Sequence, residues 1–333
     1  MQTHTDKPLK ILTWHVHGSY LYYLTQAPCQ FFLPVKAGKS EGYGGRSGAF
    51  KWGDNVREVD ADEVKNLDFD CILFQSKKNY LEDQFEILND IQRTLPKIYL
   101  EHDPPREVPT DTSHLVDDPT VLLVHVTHFN KLMWNNNRSP TQVIEHGVTI
   151  PLRVHYSGHY DKGIVVINGI TKRGRRLGMD IFEQVRKHIP LDLIGIGSEE
   201  LGGLGEIPPP ALPAFIARYR FFFNPIRYTS LGLAVCEAML TGLPIVGLAT
   251  TEMAITIENG KSGYIHTDVD FLIQRMQELL NNPEEAQKLG EGAKLAAQQK
   301  FNIHRFAEDW LRTFQYAIKK TKDRQATIDD VIS

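Results

Sequence analysis

The sequence predicts an α/β protein whose parallel sheets are covered by helices on both faces. Short apolar runs alternate along the chain with longer amphipathic stretches, which is the pattern of strands connected by helices. Several runs end in Gly, His or Asn, and open α/β sheets bind their ligands beyond the carboxyl ends of the strands. Eight runs predict strands: LKILTWHV, FDCILFQ, PKIYLEH, VLLVHVT, GIVVING, LDLIGIG, RFFFNP and LPIVGLA.

The length and one irregular segment predict two lobes. The chain has 333 residues, more than the roughly 100 to 200 residues of a single domain. The segment HGVTIPLRVHYSGHYDK contains Pro, Gly and Ser and has neither helix nor strand periodicity. We therefore expect an N-terminal lobe over residues 1–155 and a C-terminal lobe over residues 156–302.

The last part of the chain, residues 303–333, is predicted to contain an amphipathic helix. Its apolar residues recur at three- and four-residue spacing, namely Phe306, Trp310, Phe314 and Ala317. The helix ends in a basic cluster of Lys319, Lys320, Lys322 and Arg324. Such a cluster is most often a solvated helix end and less often a patch for anionic lipid.

Composition and charge exclude several classes of protein. Hydrophobic residues make up 41 % of the chain and charged residues 23 %, so the protein is neither mostly disordered nor fibrous. The 37 Lys and Arg residues against 41 Asp and Glu residues leave a net charge of -4. This balance argues against a protein that binds nucleic acid as its main function.

Cysteine usage and hydropathy predict a cytoplasmic location. Cys29, Cys71 and Cys236 are far apart and form neither a CxxC zinc pattern nor a disulfide framework. The first residues lack the charged region, apolar stretch and cleavage site of a signal peptide. No apolar run approaches the roughly 18 residues of a membrane-spanning helix. Peripheral contact with the inner face of a membrane is left open.

The most informative stretch is FFFNPIRYTSLGLAVCEAMLTGLPIVG, residues 221–247. It predicts a strand, a turn at Asn224–Pro225, a helix with Gly242 as its C-cap, and a second strand. Thr229 or Ser230 is expected to cap this helix, and the cap leaves free backbone N–H groups.

The start of this helix is a candidate phosphate site. The free N–H groups are expected at Leu231 to Leu233. A helix start carries roughly half a positive elementary charge. Gly232 leaves the backbone there open to a phosphate, because it has no side chain.

Glu237 lies two turns further on in an otherwise apolar helix, where an unpaired buried carboxylate is costly. A vicinal diol such as a ribose supplies two hydroxyl donors to one carboxylate, with hydrogen bonds of roughly 1.5–3 kcal/mol each. A structural salt bridge to a nearby Arg is the alternative.

The stretch resembles the signature of the GT-B glycosyltransferases, in particular the retaining family-4 type. That pattern contains Pro-Ser, Glu-Gly-Phe-Gly-Leu, Glu-Ala-Met and Gly-x-Pro-Val-Val, and this chain reads NPIRYTSLGLAVCEAMLTGLPIVG. The resemblance implies two Rossmann-like lobes that face a central cleft, and a C-terminal helix in residues 303–333 that returns to the N-terminal lobe. It also implies that the helix start, Ser230 to Leu233, holds the donor phosphate and that Glu237 holds the ribose. The first Glu of the Glu-x7-Glu motif is replaced by Thr229, so its contact with the donor sugar is lost or replaced.

The segment GIVVINGITKRGRRLGMDIFEQV resembles the family's strand, glycine, Arg, Lys-Gly and helix. The resemblance implies that an Arg and a Lys of this segment hold the donor diphosphate. The register leaves Lys172, Arg173, Arg175 and Arg176 as candidates, of which we favour Arg173 and Arg176 and include Lys172 among the binding residues. A solvated basic loop is the alternative.

Two further segments extend the resemblance. In LDLIGIGSEELGGLGEIPPP, Gly197 and Ile207 are implied to border the nucleotide base, although Gly197 could also be an ordinary turn at a strand end. In the N-terminal lobe, Gly18 lies in the glycine-bearing loop whose backbone approaches the donor phosphate. His102 resembles the family's active-site His, which contacts the donor sugar, and a hydrogen-bonded turn is its alternative role.

The sequence therefore predicts a glycosyltransferase that moves a sugar from a nucleotide-diphosphate donor to a hydroxyl of a glycan or glycolipid. We expect retention at the anomeric carbon and no metal cofactor, since the 13 histidines form no HExxH or Cys/His set. Two alternatives remain: a catalytically weak sugar-nucleotide-binding subunit of a glycosylation complex, and a GT-B nucleotide-sugar epimerase. The expected partners are the nucleotide-sugar donor and the acceptor, with no nucleic acid.

Overall fold

The computed structural model describes residues 7–332, with side chains described up to residue 327. The chain forms two compact units. Unit 1 contains the residues up to Glu145 and those from Ile303 onward, and unit 2 contains His146–Asn302. The chain thus enters unit 2 ten residues before the predicted boundary at 155. The residues after Glu145 belong to unit 2 because they bond to it. His146 Nε2 forms a hydrogen bond with the Leu231 carbonyl (2.8 Å), and the Val148 N–H donates to the Phe301 carbonyl (3.0 Å).

Unit 1 is built on a parallel sheet of seven strands in the order β3-β2-β1-β4-β5-β6-β7. The strands are β1 (Lys10–Thr13), β2 (Gln30–Val35), β3 (Val56–Asp60), β4 (Cys71–Phe74), β5 (Lys97–Glu101), β6 (Val121–His125) and β7 (Thr141–Val143). The α-helices are α1 (Gly18–Leu24), α2 (Gln84–Ile87), α3 (His128–Met133) and α11 (Ile303–Ile332).

Unit 2 has a parallel sheet of five strands in the order β12-β11-β10-β8-β9. The strands are β8 (Tyr160–Val166), β9 (Leu191–Ile194), β10 (Tyr219–Asn224), β11 (Ile245–Leu248) and β12 (Gly263–His266). The α-helices are α4 (Ile170–Arg173), α5 (Met179–Val185), α6 (Leu212–Ile216), α7 (Leu233–Thr241), α8 (Met253–Thr256), α9 (Val269–Asn281) and α10 (Pro283–Lys300).

The predicted α/β fold with parallel sheets is confirmed. Each of the eight apolar runs contains a strand, and every residue of β4, β6, β10 and β11 is buried. A strand that helices cover on both faces must bury all its side chains, and this is why such strands read as unbroken apolar runs. The strands β2, β3, β7 and β12 were not predicted.

The C-terminal helix α11 packs its predicted apolar face into unit 1. Phe306, Trp310 and Phe314 are fully buried. The Trp310 indole N–H donates to the Tyr20 hydroxyl (3.3 Å), and the Phe314 ring lies edge-on to Phe31 at 6.3 Å between centroids. The helix continues to Ile332, beyond the predicted basic end that ran to Arg324.

The three cysteines are buried, and none of them forms a disulfide bond within the described part of the chain. None of the helices in the described part of the chain is both long and apolar enough to cross a membrane.

His125 makes the stability of unit 1 depend on pH. Its ring is fully buried, Nε2 bonds to the Asn136 amide oxygen (2.7 Å), and Nδ1 has no partner among the described residues. Burial lowers the pKa of His125 to about 4, below the ordinary value near 6.5. The unfolded chain therefore binds a proton that the folded chain excludes as the pH falls from about 6.5 towards 4.

We expect His125 to lower the free energy of unfolding by about 2 kcal/mol when the pH falls from 7 to 5. Urea unfolding at both pH values checks the prediction. His125→Gln removes the titrating ring, so the loss of stability should be smaller by that amount in the variant. An equal loss in both proteins would contradict the assignment.

Candidate functional site

The carboxyl edge of the unit 2 sheet gathers the residues that the sequence singled out. The neighbouring strands β10, β8 and β9 run parallel, so the segments that follow them leave from the same edge. These segments carry Arg173, Gly197 and the start of α7, respectively. Ligands of open α/β sheets bind at such an edge.

The helix α7 begins later than predicted. Its N-cap is Gly232, with extended backbone (φ -71°, ψ 136°), and no side chain caps it. The prediction that Thr229 or Ser230 caps the helix is therefore wrong. Hydrogen bonds from the N–H groups of Arg227 and Tyr228 to the Arg176 carbonyl (3.1 and 3.2 Å) hold the chain in a bent conformation before the helix.

Because α7 begins later than predicted, its free backbone N–H groups also belong to later residues. The Val235 N–H bonds to the Gly232 carbonyl (3.0 Å). The N–H groups of Gly232, Leu233 and Ala234 have no acceptor in the part of the chain that the structure describes. Leu231, which was expected to offer a free N–H group with Gly232 and Leu233, is buried ahead of the helix.

Gly232 leaves this helix start open. The residue is exposed, and a Cβ atom added to it would meet no atom within 4 Å. Its φ of -71° is one that any residue adopts. Neither packing nor backbone conformation requires glycine here, and the backbone at this position is open to a ligand.

Glu237 is buried within α7, with 5 % of its surface exposed. It lies four residues after Leu233, which is roughly 6 Å along the helix axis. A carboxylate at this spacing from the helix start suits a diol that is attached to a phosphate bound at that start. Its flanking residues Cys236 and Ala238 are fully buried.

The basic segment after β8 is folded as two short helical turns rather than as a loop. Lys172 and Arg173 end α4, and the Arg173 guanidinium donates to the Asn168 carbonyl. Arg175 pairs with Asp180. The half-buried Arg176 side chain has no hydrogen-bond or ion-pair partner among residues 7–327, so its charge is available to a ligand.

Arg227 connects this basic segment to the approach to α7. Its guanidinium donates to both carboxylate oxygens of Asp180 (2.6 and 2.8 Å) and to the Arg175 carbonyl (2.7 Å). These bonds lower the pKa of the Asp180 carboxyl, which therefore stays ionised. The backbone of Arg176 is consequently fixed relative to the segment that leads into Gly232.

Gly197 and Ile207 lie in one loop that returns to the end of β9. The Gly195 N–H bonds to the Gly205 carbonyl (2.9 Å), and Leu204 N–H to the Leu193 carbonyl (2.8 Å). Gly197 has a left-handed backbone (φ +75°) that caps a short 3-10 turn. The turn itself thus accounts for glycine at this position, and Ile207 is half-buried.

In unit 1, Gly18 and His102 follow strands β1 and β5 at the carboxyl edge of the sheet. The His102 ring bonds through Nε2 to the Gln75 amide oxygen (3.2 Å), and its centroid is 4.2 Å from that of His17. Gly18 starts α1, where a Cβ atom would lie 3.1 Å from His15 Nε2. Unit 1 therefore brings the loop of Gly18 and the half-buried His102 together.

Two residues at the unit 2 edge were missed by the sequence reasoning. Glu252 follows β11 and is almost fully buried (2 % exposed), and Thr251 before it has a left-handed backbone (φ 51°). A β-branched residue in this conformation is strained, and such strain concentrates at functional sites. The available signal was a Thr-Thr-Glu sequence that begins two residues after the end of a buried strand. The described residues contain no group of three His, Cys, Asp or Glu that could hold a metal ion.

Part of unit 2 is similar in sequence to a family of glycosyltransferases. Residues 172–282 match the protein family described as glycosyl transferases group 1. This segment contains Arg176, Gly232 and Glu237 but no part of unit 1. The trehalose synthase of Thermococcus litoralis is 35 % identical over 80 residues, which cover 24 % of this chain and 19 % of that protein. The match thus spans about a fifth of the relative's length.

Solved structures share the fold over nearly the whole chain. Sucrose-phosphate synthase from Thermosynechococcus elongatus superposes with a TM-score of 0.67 at 14 % identity, covering 95 % of this chain and 100 % of that one. Anabaena HepE, in complex with UDP and glucose, gives a TM-score of 0.68 at 14 % identity, covering 92 % and 100 %. The fold is therefore the GT-B fold.

Two glycines at this edge should respond differently to alanine. Gly232→Ala is expected to leave the free energy of unfolding within about 0.5 kcal/mol of the original, since its Cβ atom meets nothing. Gly178→Ala should lower the free energy of unfolding by more than about 2 kcal/mol, because the φ of Gly178 is +79° and a Cβ atom there would lie 2.0 Å from the Pro225 carbonyl oxygen. Urea unfolding of both variants measures the difference. A large loss of unfolding free energy in Gly232→Ala would show that the fold itself requires this glycine.

Proposed function

We propose that the chain is a retaining glycosyltransferase that moves a sugar from a nucleotide-diphosphate donor to a hydroxyl group of a glycan or glycolipid, without a metal ion. The observation that carries the proposal is the open, uncapped start of α7. Hydrogen bonds tie the segment that leads into it to the backbone of Arg176. This arrangement offers both backbone donors and a cation to a diphosphate.

The diphosphate is proposed to bind at the start of α7. The N–H groups of Gly232 to Ala234 donate to its oxygens, and the positive end of the helix dipole favours its charge. The bond between the anomeric carbon and the phosphate oxygen breaks during transfer, and negative charge grows on the leaving nucleoside diphosphate. Arg173 and Arg176 stabilise that charge in place of a divalent metal.

Glu237 is assigned to the ribose of the donor, and Gly197 and Ile207 to the base. The buried carboxylate of Glu237 accepts hydrogen bonds from the two ribose hydroxyls, one helical turn away from the phosphate. Thr229 and Ser230 lie half-buried just before Gly232. Thr229 has a hydroxyl where the family motif has a carboxylate, so we expect it to alter the contact with the donor sugar.

The acceptor hydroxyl attacks the anomeric carbon on the face from which the nucleoside diphosphate leaves, and its proton passes to an oxygen of that leaving group as the new glycosidic bond forms. In unit 1, His102 is assigned contact with the donor sugar and Gly18 the approach of backbone to its phosphate, as the family resemblance implies. The UDP and glucose bound to HepE support a nucleotide-sugar donor.

Thermal unfolding with UDP-, GDP-, ADP- and dTDP-sugars tests the proposal. A ligand at ~100 times its dissociation constant adds about 2.7 kcal/mol to the free energy of unfolding. We expect the sugar nucleotides of one base to raise the melting temperature, and those of the other bases to leave it unchanged. Glu237→Gln should weaken that binding by roughly 10- to 100-fold, because charge-assisted hydrogen bonds to the ribose are lost.

The matched control for this experiment is Glu183→Gln, which removes an exposed carboxylate on α5. It should bind the donor like the original protein. Absence of stabilisation by any of the four nucleotide classes would contradict a donor site in unit 2. Equal affinity of a folded Glu237→Gln variant would remove the ribose role of Glu237.

The roles of neighbouring arginines are separable. Arg176→Ala should weaken donor binding by roughly tenfold, because a charge-assisted contact with the diphosphate is lost. Arg175→Ala removes the same charge one residue earlier, but Arg175 is already paired with Asp180, so its effect should stay within about twofold. Calorimetric titration with the identified donor compares the two variants. Equal losses would indicate a diffuse electrostatic effect.

A further inference from the structure

A basic pocket lies in unit 1 at the amino edge of its sheet. Lys97 is the first residue of β5, and Thr120 directly precedes β6. Arg93, Thr94 and Leu95 form the turn that leads into β5. The remaining wall is one stretch of α11, and the full lining is Arg93, Thr94, Leu95, Lys97, Thr120, Lys320, Thr321, Arg324 and Gln325.

The pocket is separate from the candidate site of unit 1. His102 follows the carboxyl end of β5, whereas Lys97 is at the amino end of the same strand. A strand of five residues spans roughly 16 Å. The two groups therefore lie at opposite edges of the sheet, and the mechanism proposed above does not use this pocket.

All the charged residues of the lining are cations. Arg93, Lys97, Lys320 and Arg324 contribute four cations, and no carboxylate is part of the lining. The other polar lining residues are three threonines and one glutamine. The volume of about 280 Å³ is close to the lower end of small-ligand pockets, roughly 300 Å³. Its size and its hydrogen-bond donors suit a phosphate group.

Neighbouring carboxylates balance this charge only in part. Arg93 pairs with the exposed Asp90. Asp118, in the loop before β6, offsets part of the lowering of the Lys97 pKa that burial causes, and it also accepts a hydrogen bond from the Thr120 N–H (2.7 Å). Asp323 lies on α11 next to Arg324 and is exposed.

Lys97 shows the consequence of this imbalance. Burial lowers the pKa of its ammonium group, and the nearby guanidinium of Arg93 lowers it further. A cation that is partly removed from water beside another cation is stabilised by an anion between them.

The position of α11 separates its basic residues into two groups. Lys320 is half-buried and Arg324, one turn on, donates to the Pro119 carbonyl (3.4 Å), so both face the pocket. Lys319 and Lys322 are exposed and do not line it. The basic end of the helix is therefore not simply a solvated terminus.

We propose that this pocket binds a phosphate-bearing anion through Arg93, Lys97, Lys320 and Arg324. The anion is either the headgroup of an anionic phospholipid or a soluble phosphate compound, since both present the same chemistry. Guanidinium and ammonium groups that converge from two elements hold a phosphate group with charge-assisted hydrogen bonds.

Two paired variants of the full chain test the proposal. Lys320→Gln with Arg324→Gln removes two cations of the pocket, and Lys319→Gln with Lys322→Gln removes two from the same helix outside it. Binding of inositol hexakisphosphate is measured by calorimetric titration. Binding to vesicles of phosphatidylcholine, with or without phosphatidylglycerol, is measured by sedimentation. Each lost contact should cost about fivefold in affinity, and the pocket pair about 25-fold, whereas the control pair should lose far less.

The outcomes separate the two sources. Binding to phosphatidylglycerol vesicles that inositol hexakisphosphate displaces supports a lipid headgroup, and binding of the soluble compound alone supports a free phosphate ligand. Equal losses in the two paired variants, or binding of neither probe, would overturn the proposal.

Discussion

The ion pair between Arg227 and Asp180 joins the two segments on which the unit 2 site depends. Asp180 belongs to α5, which follows the basic segment, and Arg227 belongs to the segment that leads into α7. The Arg176 carbonyl accepts two further hydrogen bonds across the same junction, and Gly178 packs against the Pro225 carbonyl where no side chain would fit. Without this junction, the cations and the helix start would belong to independent loops. With it, the cations and the helix start are held in a fixed arrangement, so the proposed binding of a diphosphate requires little further ordering.

Much of the fold could be predicted because parallel strands covered on both faces must be apolar throughout. RFFFNP and VLLVHVT are such runs, and their strands are buried at every position. The strands that escaped prediction depart from this pattern. β2 contains Pro34, and β3 is an edge strand with largely exposed residues (VREVD), so neither reads as an unbroken apolar run. The α11 face was predictable because four buried residues recur at helical spacing.

The candidate site was predictable in its parts but not in its connections. Glu237 stood out as a carboxylate in an apolar helix, and Gly232 as a glycine near a helix start. The start of α7 was misplaced, because Thr229 and Ser230 have good capping side chains, while tertiary hydrogen bonds of Arg227 and Tyr228 keep that segment out of the helix. The pairing of Arg175 with Asp180, which distinguishes it from Arg176, likewise depends on contacts that the local sequence does not contain.

The division of unit 1 into two stretches of sequence has a consequence for how the chain folds as it is made. Unit 2 is complete once residue 302 has left the ribosome, whereas the core of unit 1 still lacks α11. The hydrogen bond between Trp310 and Tyr20 closes a separation of 290 residues. Until that closure, the surface of unit 1 that Phe306, Trp310 and Phe314 cover is open to the surroundings. The N-terminal stretch of unit 1 therefore cannot complete its core until α11 has been made. Unit 2 is made after that stretch, but its core is complete before that of unit 1.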